Sequence, residues 1–93
     1  MAFQYLRVSE IPTEGLYLDQ LRRLISIVGV QGMQVALVRV DGGYSINAFA
    51  GQRAQKTFFL KAEKTKERRI FKSPQSAFRI CKSLGYDRIV VEL

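Results

Sequence analysis

Met33-Gln34-Val35-Ala36-Leu37-Val38-Arg39-Val40, then Asp41-Gly42-Gly43, then Tyr44-Ser45-Ile46-Asn47-Ala48-Phe49: this stretch decides the fold. The first segment is rich in β-branched residues, which suit a pleated, half-buried surface. The Asp-Gly-Gly that follows tolerates positive φ and marks a sharp reversal. The third segment alternates apolar and polar with the two-residue period of a strand. The reading is an antiparallel hairpin. Tyr44, Ile46 and Ala48 are expected to face the core, and Ser45 and Asn47 the solvent.

Outward toward the C-terminus, the polar link Gly51-Gln52-Arg53-Ala54-Gln55 leads into a second expected hairpin. Its strands are Lys56 to Ala62 and Glu67 to Lys72, joined by the loop Glu63-Lys64-Thr65-Lys66. Phe58, Leu60 and Ile70 are assigned to the core face, and Phe59, Lys61, Arg69 and Phe71 to the outer one. Ser73-Pro74 is a cap followed by proline at the first helical position. Ala77, Phe78, Cys81 and Leu84 then form an apolar stripe, with Arg79 and Lys82 off it, and Gly85 stops the helix. Asp87 to Leu93 closes the chain as a strand.

Outward in the other direction, Leu18, Leu21, Leu24, Ile25 and Val28 share one stripe of a helix that Thr13 or Asp19 caps. Gly29 or Gly32 ends it. Gly29-Val30-Gln31-Gly32 has spacing similar to the GxxG loop of KH domains, but it is uncharged and precedes a strand, so helix termination is preferred. Pro12 and Gly15 interrupt regular structure, and Phe3 to Val8 reads as an edge strand. The order is roughly β-α-β-β-β-β-α-β in one domain, residues 1–93. Strands grouped in hairpins imply an α+β fold, a mostly antiparallel sheet built from two hairpins with two packed helices. The strand–helix–strand unit of residues 68–93 leaves room for one parallel neighbour.

Composition narrows the function classes. The 93 residues are 47% hydrophobic and 25% charged, an ordinary globular balance. There is no His, which removes the commonest general base and zinc ligand. One Cys, Cys81, forms no internal disulfide or thiolate metal site. Neither a P-loop nor a dinucleotide fingerprint occurs. Glu10 with Glu14, and Glu63 with Glu67, lie in polar surroundings that would not split their pKa values for acid–base work. Tyr5, Tyr17, Tyr44 and Tyr86 lack the metal ligands or His that phosphodiester chemistry normally requires. The start shows no secretory signal, and no apolar run approaches the roughly 20 residues of a membrane span. A non-enzymatic cytoplasmic protein without cofactor or metal is expected.

Charge supplies the functional clue. The net charge is +7. Residues 1–51 balance Arg7, Arg22, Arg23 and Arg39 against Glu10, Glu14, Asp19 and Asp41. Residues 52–82 hold Arg53, Lys56, Lys61, Lys64, Lys66, Arg68, Arg69, Lys72, Arg79 and Lys82 against Glu63 and Glu67, an excess of +8. Like charges crowded on one hairpin and helix repel, so a polyanionic partner is expected, phosphate backbones first. Phe59 and Phe71 interleave with the cations, as rings for stacking unpaired bases would. A competing reading puts both rings in the core under the second helix. The expected function is a small nucleic-acid-binding protein, DNA or RNA, of accessory or regulatory role. Its contact set is Arg53, Lys56, Phe59, Lys61, Lys64, Lys66, Arg68, Arg69, Phe71, Lys72, Arg79 and Lys82. The alternative is a protein-interaction module (inhibitor, adaptor or assembly subunit) that meets an acidic protein or a second copy through the basic patch or an open strand edge.

Overall fold

A computed structural model describes residues 14–50 and 56–92. Within them run β1 (Glu14–Leu16), α1 (Leu18–Val28), β2 (Met33–Val40), β3 (Gly43–Ala50), β4 (Lys56–Leu60), α2 (Pro74–Ser83) and β5 (Val90–Glu92). The strands form one sheet in the order β1-β4-β3-β2-β5. The β2–β3 hairpin is its centre, antiparallel from Met33 opposite Ala50 to Val40 opposite Gly43. Asp41-Gly42 closes it, with Gly42 at φ +92°, a conformation that costs glycine little.

The fold is α+β as expected, but the sheet is mixed. β1 runs parallel to β4, from Glu14 opposite Phe58 to Leu16 opposite Leu60. β5 runs parallel to β2, from Ala36 opposite Val90 to Val38 opposite Glu92. The cause is connectivity. α1 carries the chain from β1 to β2, and α2 from β4 to β5, and a helical crossover returns a strand in the direction it left. The parallel neighbour anticipated for the C-terminal unit is therefore β2.

The return strand expected over 67–72 is reduced to single bridges, Lys61 with Arg68 and Phe71 with Tyr44. β4 already has β3 on one side and β1 on the other, so only residues beyond Leu60 are left to pair with the returning chain. Ala62 N–H donates to the Glu67 carbonyl and Arg69 N–H to that of Leu60, both at 2.8 Å. Residues 61–70 thus form a short arch. The chain re-enters beside β3, where Phe71 and Tyr44 exchange backbone bonds of 2.8 Å. The phase of this segment is the inverse of the expected one: Phe71 is buried and Ile70 exposed. Pairing Lys61 with Arg68 places Phe71 on the side of Leu60.

Both helices cover one face of the sheet. Met33, Val35 and Leu37 of β2, Ile46 and Ala48 of β3, and Leu60 and Phe71 meet Leu21 and Ile25 of α1 and Ala77, Cys81 and Leu84 of α2. Tyr86 joins them and donates its hydroxyl to the Met33 carbonyl. On the opposite face, Ala36, Val38 and Phe49 make a second, smaller cluster.

The helix ends differ from expectation in part. Ser73 caps α2, its hydroxyl accepting from Ser76 N–H at 3.2 Å, and Pro74 is the first helical residue. Gly85 follows α2 and Gly29 ends α1. The cap of α1 is Tyr17, not Asp19, and Gln20 Oε1 accepts from Tyr17 N–H at 2.9 Å. Val28 falls off the buried stripe and Phe78 is only half-buried. Gly15 lies inside β1, not in an interruption, and β5 is shorter than the expected strand. Phe3 to Val8, Pro12 and Thr13 lie outside the described residues.

Candidate nucleic-acid interface

The site is built on the face of the sheet opposite the helices. Ser45 and Asn47, expected to face solvent, are 0% and 6% exposed. The cause is Arg68, which the arch folds back over β3. Its Nη1 donates to Ser45 Oγ at 2.7 Å and to Asn47 Oδ1 at 3.1 Å. Ser45 Oγ in turn donates to Asn47 Oδ1 at 3.4 Å. The guanidinium carbon stands 4.7 Å from the Phe59 ring centre, and Phe59 is the β4 partner of Asn47.

Arg68 therefore rests on a hydroxyl, an amide and a ring, all neutral. It pairs with no carboxylate among the described residues. Burial lowers the guanidinium pKa from its ordinary value, yet arginine stays charged in proteins. Five N–H groups make up its fork, and Nη1 supplies the two that are engaged. The Nε and Nη2 donors have no protein acceptor among the described residues. Such a planar, half-satisfied fork matches the geometry of a phosphate.

Two further cations lie over rings. Lys61 Nζ is 4.5 Å from the Tyr17 ring centre, and the Arg69 guanidinium is 4.7 Å from that of Phe71. The Lys61 stem and the Phe59 ring pass directly over Gly15, where any Cβ would collide with both. Gly15 thus sets the level at which these side chains cross β1. Of the two readings of these rings, burial in the core holds for Phe71, which has no open face for a base, and not for Phe59, which lies half-buried on the face away from the helices. Phe71 belongs to the core, and Arg68 covers a face of Phe59.

The remaining cations are solvent-exposed. Lys64 and Lys66 occupy the tip of the arch, Lys66 at φ +62°. Lys72 precedes the α2 cap, and Arg79 and Lys82 lie on α2. Arg53 and the Lys56 side chain lie outside the described residues. The expected set thus divides between two layers: Lys61 and Arg68 below the sheet, and Arg79 and Lys82 on the helix side. None of the eight cations from Lys61 to Lys82 forms an ion pair among the described residues. Glu63 and Glu67 stand in the same arch and pair with none of them. The ion pair that does occur among the described residues, Arg22 with Asp19 at 3.7 Å, is in the charge-balanced half.

Reactive groups are few. Cys81 is fully buried on α2, and burial pushes its thiol up to about 11, which removes its nucleophilic form at neutral pH. Burial and the neighbouring Cys81 raise the Tyr86 phenol. No three His, Cys, Asp or Glu side chains among the described residues gather as metal ligands. Among the described residues no helix is long and apolar enough to cross a membrane.

Ser45, Asn47, Gly15 and Tyr17 escaped the sequence reading. One signal was available: a four-residue loop between Ala62 and Glu67 already sets Lys61 opposite Arg68, hence both on one face. Comparison with known proteins finds no matching family model, no matching curated protein and no matching solved structure.

Proposed function

We infer that this protein binds the phosphate backbone of a nucleic acid through the cations of residues 61–82, and acts by binding rather than by catalysis. One observation carries the reading: eight cations in that segment leave their charge unneutralised by any carboxylate among the described residues. An uncompensated cluster raises the local potential and repels itself, and a polyanion relieves both while releasing condensed counterions. Arg68 offers a pre-oriented donor fork, since Ser45, Asn47 and Phe59 hold its plane in place. Lys64 and Lys66 add exposed charge at the tip of the same arch, and Lys72, Arg79 and Lys82 add exposed charge before and along α2. Contacts of this kind position a strand without reading its sequence.

The test is fluorescence anisotropy with single- and double-stranded DNA and RNA oligonucleotides over a salt series. Arg79→Glu/Lys82→Glu is compared with Arg22→Glu/Arg23→Glu. Both pairs are exposed on helices, and both double variants change the net charge equally. Binding weakens about tenfold or more in the first and little in the second. Equal losses reduce the effect to net charge, and no binding at low salt ends the nucleic-acid reading.

A further inference from the structure

Among the described residues β5 is an edge of the sheet, with β2 as its neighbour on one side. Such an edge presents unpaired N–H and C=O groups to any chain that fits alongside. Its two valines are open to solvent: Val90 is 46% and Val91 49% exposed. On the helix side, α2 stops short of the edge and leaves a groove of about 580 Å³ whose walls include Leu37, Pro74, Phe78, Ile89 and Val91. Val90, opposite Ala36, points to the other face, and Val91, opposite Leu37, points to the groove side.

We propose that the occupant of this edge is a second copy of the same chain, joined antiparallel through residues 88–92 with the two-fold axis on Val90. The charges select the register. In a symmetric antiparallel pair the axis must pass through a residue, because hydrogen-bonded and non-hydrogen-bonded pairs alternate along the ladder. With the axis on Val90, Arg88 of each copy stands opposite Glu92 of the other, twice by symmetry. Neither Arg88 nor Glu92 has an ion-pair partner within its own chain among the described residues. The same register sets Ile89 against Val91 of the second copy on the groove side. Each groove thereby gains an apolar outer wall, and the two Val90 side chains meet on the opposite face. Moving the axis to Val91 sets Glu92 against Val90 and takes it away from Arg88. The product is one continuous sheet, twice the five strands of a single copy, carrying two basic arches.

The experiment is sedimentation of nucleic-acid-free protein over a concentration series reaching about 1 mM, with circular dichroism confirming that each variant is folded. The wild-type chain dimerises. Arg88→Glu and Glu92→Arg each raise the dimer dissociation constant about tenfold or more, because two facing pairs turn repulsive. Mixing these two variants restores association. Across the mixed interface the two introduced side chains face each other with opposite charge, and so do the native Arg88 of one variant and the native Glu92 of the other. A wild-type chain that stays monomeric throughout overturns the proposal. So does a dimer indifferent to Arg88→Glu, or a mixture no tighter than the variants alone.

Discussion

Arg68 is a charge bound by neutral partners, and its energetics differ from those of a salt bridge. Removing it takes the charged donor from Ser45 Oγ and Asn47 Oδ1, leaves them only the 3.4 Å bond between them, and uncovers the Phe59 ring. Hydrogen bonds to a charged group are among the costlier ones to lose. Arg68→Ala is therefore expected to cost about 1–3 kcal/mol in urea unfolding. The triple variant Arg68→Met/Ser45→Ala/Asn47→Ala should cost less than the sum of its parts, since no polar group stays stranded. An additive triple variant would mean that the three side chains do not act as a unit. Gly15 makes a second expectation at this scale. Gly15→Ala drives a methyl into the Lys61 stem and the Phe59 ring and should destabilise by about 1–3 kcal/mol. Lys61→Ala/Phe59→Ala in the same background should remove most of that penalty.

At the scale of elements, α2 was the most legible part of the chain. Its cap, its proline and its stop are local chemistry, written within a few residues of one another. The β2–β3 hairpin was legible for the same reason. What escaped depends on distant partners. Nothing near Ser45 or Asn47 announces that a residue 21 or more positions later will cover them. Likewise, the loss of the return strand follows from β1 occupying the far side of β4, a pairing across 44 residues from Glu14 to Phe58. Two measurements probe how α2 and the arch dock. Phe71→Ala, in the core, should cost about 3–5 kcal/mol, and Phe78→Ala, at the groove wall, distinctly less. The thiol of Cys81 gives a pH signature. Its ordinary value is 9.0 and the folded protein holds it at about 11. Above pH 9 the unfolded chain loses this proton and the folded chain keeps it, so the contribution is intact below pH 9 and lost as pH rises toward 11. Melting curves from about pH 8 to 11 should fall more steeply for the wild type than for Cys81→Ala.

The molecule as a whole is neutral over its first half and strongly positive over residues 52–82. For phosphate contacts the logarithm of affinity falls linearly with that of salt, by about 0.7 per contact on a single strand and 0.9 on a duplex. Arg79→Ala/Lys82→Ala should therefore flatten the slope by up to about 1.4 or 1.8, respectively, if both side chains touch phosphate. An unchanged slope would confine the interface to the arch. The strand order has a kinetic consequence as well. The hairpin at the centre of the sheet closes through two residues, whereas its outer strands wait on partners 44 and 54 residues away, Glu14 with Phe58 and Ala36 with Val90. Closing long loops before any contact rewards them slows assembly, so the transition state is expected to contain β2 and β3 with both edges still loose. Stopped-flow refolding would read this directly. Gly42→Ala should slow folding, whereas Leu16→Ala and Val91→Ala should chiefly hasten unfolding. The sheet would then grow outward from its middle, and its rims would be the first strands to let go.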